Sequence, residues 1–502
     1  MSARPAGVVP ATRATVLLAV LALLAVVLGG VRLAQAGAGS SARQVTVDGV
    51  PLTEVRAGSS PGRHPGVVVA HGFAGSARLM RPLADTVARH GAVALLLDFA
   101  GHGANPARLP GAGRDGSAAR AVLEHDLDVA VAHLRALPDV DPDRIVLVGH
   151  SMGAGAVTRY AATHPEIAAT VAVSLPDAGA LPYGRPRALR LVVGGAEFPG
   201  FRRAAEQALR AAPPGQRSLT VVSGTEHISV LFAGRTHETV VAALPGGSAG
   251  PPPRPGARLA GAGLLLLGLG VGFVPLVAAL RGRRPDGPAA ADVRPVTGRW
   301  LLLGAVAVAA GLAAVVATVA PTVRLPLAVG GYVTGYLLLT GLLLAVLARR
   351  LVPGRGTPPV REAGSRPAPL AALTIGYALV SVAVPIHLGF TAAWPVGARW
   401  WLLPVVAVGC LAFLLGAERI AAGRSGRYAA VLALTVLVLA VAAVAGLAPG
   451  FVLLVVPLFA VLAGWAAAWA AVLRRAGVPG WLPAVVGTVL LAWPIATTLP
   501  LA

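Results

Sequence analysis

Apolar and polar positions alternate along this chain in three different ways. From Thr15 to Val31 apolar residues are almost uninterrupted. From about residue 35 to 257 they come as short Val/Leu/Ile-rich runs separated by longer mixed stretches. Beyond that they recur as blocks at Leu259 to Leu280, Trp300 to Ala320, Leu325 to Ala348, Leu370 to Phe390, Trp400 to Ala417, Tyr428 to Leu447, Phe451 to Leu473 and Trp481 to Leu499. Each block is roughly 20 residues, the length needed to cross about 30 Å of hydrocarbon at 1.5 Å per residue. The pattern predicts eight spanning helices after residue 258 and a ninth near the N-terminus.

The middle region reads as strand candidates at Gln44 to Val47, Leu52 to Arg56, Gly66 to Ala70, Ala92 to Leu97, Arg144 to Val148, Ala169 to Val173, Leu189 to Val193 and Leu219 to Val222. Helices are expected at Leu79 to His90, Ala118 to Leu137, Met152 to Thr163, Phe201 to Ala211 and Ile228 to Leu244. Two opening strands followed by alternating strand and helix predict a mostly parallel sheet covered on both faces, an α/β fold, joined to an all-α helix bundle.

Composition supports the division. Of 502 residues 56% are hydrophobic and 13% charged, whereas soluble domains carry about 25% charged residues. Residues 35 to 257 hold 17 of the 21 acidic residues, and only Asp286, Asp292, Glu362 and Glu418 come after them. The net charge of +21 lies mostly beside the apolar blocks, so membrane topology explains it and nucleic acid does not. Alternate loops between blocks contain 15 Arg in one set and two, Arg324 and Arg399, in the other. Positively charged short loops stay cytoplasmic, which places the tail with Arg4 and Arg13 inside and residues 35 to 257 outside. The first apolar run, ending near Ala34-Gln35-Ala36, reads as an anchor or a signal peptide, and either exports the region after it. Cys410, the single cysteine, excludes an intramolecular disulfide and a cysteine zinc cluster.

The expected organisation is an anchor or signal segment over 1–36, an extracytoplasmic α/β domain over 37–250, a proline-rich linker over 251–257 and a membrane domain over 258–502. About 220 residues suffice for a core of their own.

Gly149-His150-Ser151-Met152-Gly153 lies between a strand and a helix, the context of a G-x-S-x-G elbow. Small residues flanking the serine by two allow a sharp turn that lifts its oxygen clear of the sheet. Here the sequence resembles the α/β-hydrolase superfamily over about residues 42 to 245. His71-Gly72-Phe73 stands where that family has its oxyanion segment, so the resemblance assigns the backbone N–H groups of Phe73 and Met152 to the developing negative charge. Asp98-Phe99-Ala100-Gly101-His102-Gly103 is similar to the family's D-x-x-G-H-G turn and receives no catalytic role. The family order of serine, acid and histidine selects Ser151, Glu197 in Gly194-Gly195-Ala196-Glu197, and His227 in Gly224-Thr225-Glu226-His227. Glutamate replaces the family's usual aspartate, and Asp177, beyond the preceding strand, is the alternative acid.

The remaining candidates read as structural. His71, His102 and His150 are expected to be hydrogen-bonded groups beside the site, and His125, His133 and His237 surface residues. Glu124, Asp126 and Asp128 are expected on a solvated helix face. His387, in an apolar block, is a candidate for function or for an interfacial position. With Ser174 to Ala188 too short for a cap, the site should be open and shallow. No cofactor or metal is expected. The resemblance implies a membrane-embedded serine hydrolase acting on esters, lipid or envelope-associated substrates among them. The competing reading is a membrane sensor, permease or scaffold whose hydrolase-like domain only binds.

Overall fold

A computed structural model describes residues 12–58, 62–111, 116–179, 181–246, 254–281, 298–351 and 367–502. These fall into two compact units.

The first comprises Gly29–Gly263, Pro385–Ala398 and Pro500–Ala502. Its strands are β1 (Ser41–Val47), β2 (Val50–Arg56), β3 (His64–Ala70), β4 (Val93–Leu97), β5 (Val140–His150), β6 (Ala169–Val173), β7 (Leu189–Gly194) and β8 (Arg217–Val222), in the order β1-β2-β4-β3-β5-β6-β7-β8. Strands β1 and β2 form a hairpin closed by Asp48 and Gly49, whose φ values of 47° and 80° suit a tight two-residue turn. The pairings β1–β2 and β2–β4 are antiparallel, and every other pairing is parallel. The helices of this unit are α2 (Arg81–Arg89), α3 (Ser117–Ala136), α4 (Met152–Thr163), α5 (Pro199–Arg210) and α6 (Gly234–Val241).

Two-residue periodicity divides the apolar strand residues between two layers. Val67, Val69, Leu96, Val146 and Val148 face α2 and α6 through Leu83, Val87 and Val240. Val68, Leu95, Leu97, Ile145 and Leu147 face α3 and α4 through Leu127, Leu134 and Val157. Burying each such side chain contributes roughly 1.5–3 kcal/mol, which is why the central strands are continuous apolar runs rather than alternating ones.

The helix expected over Ile228 to Leu244 is broken. A short 3-10 helix, Ser229–Phe232, is followed by extended Ala233 and then α6. Gly234 is a weak helix former, and the Thr236 hydroxyl donates to the Val230 carbonyl across the break. His237, expected on the surface, is buried between the Thr86 hydroxyl at 2.8 Å and the Leu231 carbonyl at 3.0 Å.

Residues 385–398 and 500–502 are structural parts of this unit. The Ser76 hydroxyl lies 2.9 Å from that of Thr391 and accepts from the Ala392 N–H at 3.1 Å. Leu501 donates to the Gly101 carbonyl at 2.8 Å and accepts from the Leu109 N–H at 3.0 Å.

The second unit comprises Met1–Leu28, Leu264–Val384 and Arg399–Leu499. It contains most of α1 (Arg13–Gly37), α7 (Ala257–Arg281) and α10 (Pro367–Gly389), together with α8 (Arg299–Val316), α9 (Gly330–Leu351), α11 (Arg399–Ala421), α12 (Ser425–Val444), α13 (Val452–Arg475) and α14 (Trp481–Thr498). Among the described residues eight helices, α1 included, are long and apolar enough to cross a membrane by length and composition, which suggests a multi-pass membrane protein. The hydropathy pattern predicts nine. The block at Trp300 falls short because its helix stops at Val316, ahead of extended Ala320 and Pro321. The linker residues 251–253 and the Arg-rich loops 282–297 and 352–366 lie outside the described residues.

Small residues set the closest helix contacts. A Cβ on Gly268 would meet the Ala22 carbonyl at 2.8 Å, and one on Gly272 the Tyr377 hydroxyl at 2.6 Å. Cβ atoms on Gly341 and Gly416 would overlap the backbones of Ala412 and Gly341 respectively, so α9 and α11 touch main chain to main chain. Gly341→Val and Gly416→Val should each destabilise this unit by about 1–3 kcal/mol or more, read as a lower temperature of aggregation in detergent. Gly304→Ala, with nothing within 4 Å, should leave it unchanged.

Candidate active site

Strand β5 runs into the site through His150, and α4 leaves it at Met152. Between them Ser151 has φ 52° and ψ −117°, a conformation that costs a non-glycine residue of order 1–3 kcal/mol. Packing imposes it. A Cβ on Gly149 would overlap the Gly153 backbone, and one on Gly153 would lie 2.5 Å from the His71 carbonyl and 2.6 Å from that of Ala70. With no room at either position, the chain turns tightly and the serine stands at the N-terminus of α4. The Ser151 N–H donates to the Val173 carbonyl at 2.9 Å, tying the turn to β6.

Three residues from three strand ends meet in one hydrogen-bonded chain. His227 Nε2 is 3.1 Å from Ser151 Oγ, and His227 Nδ1 is 2.9 Å from Glu197 Oε1. Both the imidazole and the carboxylate are almost fully buried, with side-chain exposures of 5% and 1%. A neutral His227 with its proton on Nδ1 donates to Glu197 and accepts from the Ser151 hydroxyl. The longer glutamate reaches the imidazole because its other end is held: Oε2 accepts from the Ser174 hydroxyl at 2.6 Å, and Oε1 from the Phe198 N–H at 3.3 Å.

Sequence reasoning misses Ser174. It directly follows β6 with φ 53°, buried, three residues before the alternative acid. A polar residue at that strand end, beside the acid-bearing strand, is the available signal. Asp177 itself is not brought to His227. It is exposed, and its carboxylate accepts from the Gly179 N–H at 2.9 Å within its own turn.

The segment His71-Gly72-Phe73 lies against the serine. A Cβ on Gly72 would be 3.0 Å from the Ser151 Cβ, so Phe73 comes directly after the contact and Met152 begins α4. Asp98 braces this segment by accepting from the Ala77 N–H at 2.7 Å and the Ala104 N–H at 2.9 Å. His71 accepts from the Phe99 N–H at 3.1 Å through Nε2, while its Nδ1 is 2.7 Å from the Gly72 carbonyl. Asp126, expected on a solvated face, is buried instead and accepts from the Ala100 N–H at 2.8 Å. Burial pushes its carboxyl above the usual range. His133 is half-buried, 2.9 Å from Glu54, and His125 is exposed as expected. His387 lies in α10, and its Nδ1 accepts from the Ala393 N–H at 3.3 Å.

His150 supports His227 from behind. Its Nε2–H donates to the His227 carbonyl at 2.9 Å, and its Nδ1 is buried with no hydrogen-bond partner among the described residues. Burial, reinforced by the neighbouring His227, lowers its pKa to about 3. The ring is neutral, so it places no positive charge beside His227.

The α/β hydrolase fold family matches residues 65–218. This part of the chain is an α/β-hydrolase domain. Similar proteins include an uncharacterised protein of Mycobacterium tuberculosis, 33% identical over 128 residues, which are 25% of this chain and 42% of that protein. The chain thus spans under half the length of this curated relative. Among solved structures, a dienelactone hydrolase from Anabaena variabilis is 20% identical over 41% of this chain and 96% of its own, with a TM-score of 0.34. A soluble variant of monoglyceride lipase from Saccharomyces cerevisiae is 15% identical over 40% of this chain and 92% of its own, with a TM-score of 0.30.

The buried neutral histidines make the hydrolase domain acid-sensitive. An unfolded chain protonates His150 near the ordinary 6.5, whereas the folded one resists until about 3. Protons therefore favour unfolding throughout that interval, and stability should fall as pH drops through it. His237, lowered by burial to about 4, acts in the same direction. Unfolding midpoints in detergent, measured between pH 7 and pH 4, should decline, and His150→Gln should flatten the decline.

Proposed function

We propose that the chain is a membrane-embedded serine hydrolase that cleaves esters through an acyl-Ser151 intermediate. The observation that carries this reading is the hydrogen-bonded chain Ser151–His227–Glu197 at a strained strand-to-helix turn.

In the reaction Ser151 Oγ attacks the substrate carbonyl while His227 Nε2 takes its proton. Negative charge develops on the carbonyl oxygen, beside the backbone N–H groups of Phe73 and Met152 and the positive end of α4. His227 returns the proton to the leaving oxygen, the alcohol departs, and water repeats the sequence to release the acid. Glu197 holds the Nδ1 proton in place and offsets the imidazolium charge, and Ser174 fixes the carboxylate in turn. The Arg distribution supports a cell-membrane location with the hydrolase domain on the extracytoplasmic side, where a lipid or envelope-associated ester is the fitting substrate class.

Ser151→Ala and His227→Ala should each lower ester hydrolysis by several orders of magnitude, because such residues act as a unit. A fluorophosphonate should label the parent and fail to label Ser151→Ala. Near-normal turnover by folded Ser151→Ala would remove the assignment, whereas a folded parent that neither hydrolyses esters nor labels would favour the sensor, permease or scaffold reading. Glu197→Gln should cost more activity than Asp177→Asn, and the reverse order would move the acid to the loop after β6. Reporter fusions near Ser248 should read as external and those near Ala290 or Gly364 as cytoplasmic; an inverted pattern would place the domain inside.

A further inference from the structure

We propose that Phe198 and Phe201 form the surface that receives the alcohol portion of the substrate, so that the favoured esters carry an apolar leaving group. This rests on the assignment of Ser151, His227 and Glu197 as the reacting set.

Phe198 directly follows Glu197 and precedes Pro199, the first residue of α5, and Phe201 lies in the first turn of that helix. Their ring centroids are 6.2 and 4.5 Å from that of His227 and 6.4 Å from each other. Phe198 is 42% exposed. Between residues 38 and 246 only Tyr183, Phe198 and Val221 among the described large apolar side chains are exposed. A single exposed apolar side chain needs no explanation. Phe198 differs in standing beside a second aromatic ring and the histidine that transfers the proton.

Neighbouring charges leave this surface apolar. Glu226, adjacent to His227 in the chain, turns its carboxylate onto the N–H groups of Ile228 and Ser229 at 2.9 and 2.6 Å. Arg202 pairs with Glu206 at 3.2 Å. Arg203 lies two positions beyond Phe201, which places it on the opposite side of α5.

Reaction geometry selects the alcohol side. The leaving oxygen must come within hydrogen-bonding reach of His227 Nε2 to receive its proton, so the carbons attached to that oxygen pass next to the histidine and the rings flanking it. The acyl chain, attached on the other side of the carbonyl, extends away from this point.

The test uses the purified full-length protein in one detergent, so that partitioning of each ester is common to parent and variants. Two series are compared: acetates of ethanol, butanol and hexanol, and ethyl esters of acetic, butyric and hexanoic acids. The parent kcat/KM should rise along the alcohol series. In Phe198→Ala and Phe201→Ala that rise should shrink, with a loss of roughly tenfold at hexyl acetate and a smaller one at ethyl acetate, while Phe198→Leu should retain most of it. The acyl series should keep the parent's slope. Labelling by a fluorophosphonate identifies variants that remain folded. An equal loss along the alcohol series in a labelled variant, or a loss confined to the acyl series, would overturn the proposal and leave the hydrolase reading intact. A parent that neither hydrolyses any of the esters nor labels at Ser151 would overturn both.

Discussion

Everything at the site depends on the absence of two side chains. Gly149 and Gly153 face backbone atoms at distances no Cβ could tolerate, and that approach holds Ser151 at a positive φ. The strain at Ser151 persists because β5 is paired on both sides and α4 is packed against the sheet, so relaxing one residue would displace buried strands. The same contact brings Gly72 against the serine and sets the position of Phe73. One steric requirement thus fixes Ser151, one wall of the site and the start of the helix behind it.

Electrostatics on the opposite side derive from burial. Glu197 and His227 are nearly out of reach of water, where an unpaired charge would be costly. Each oxygen of Glu197 therefore has a donor: His227 and the Phe198 amide on one, Ser174 on the other. His150 completes the arrangement by holding the His227 backbone without contributing charge. Such a shell fixes the orientation of the imidazole, the kind of preorganisation that the proposed proton transfer would use.

Much of this is legible in the sequence because it rests on local rules. Runs of Val and Leu mark the strands, and glycine spacing marks the elbow. Strand ends locate Glu197 and His227 without any knowledge of pairing. The features that stay hidden depend on contacts between distant residues. The place of Ser174 directly after β6 is its one local mark, but its contact with Glu197 depends on the pairing of β6 with β7, and the inward direction of Asp126 and His237 is decided by the partners Ala100, Thr86 and Leu231. The apolar stretch after His227 reads as one helix because its periodicity is helical, while the break at extended Ala233 is spanned by a side-chain hydrogen bond from Thr236 to Val230 that periodicity does not register. The shortfall at Trp300 comes from counting apolar residues up to Pro321, whose ring ends a helix earlier than hydropathy does.

The hidden contacts also change what counts as the hydrolase domain. Composition places its end near residue 250, yet the Ser76 hydroxyl is satisfied by Thr391 and Ala392, and the turn after Asp98 pairs with Leu501. Gly101, with φ +77°, has no space for a side chain because the Leu501 carbonyl lies against it. A turn that braces the segment after β3 therefore draws hydrogen bonds from a residue some 400 positions away in the chain. Bringing segments so far apart in the chain together costs loop-closure entropy, which grows only slowly with their separation. The buried residues of the two apolar layers lie between residues 50 and 244, with Phe390 packed against one layer, and the surface around Ser76 and Gly101 takes hydrogen bonds from residues 385–398 and 500–502. The later segments thus add hydrogen bonds and, through Phe390, an apolar contact to a core whose buried residues precede the compositional boundary.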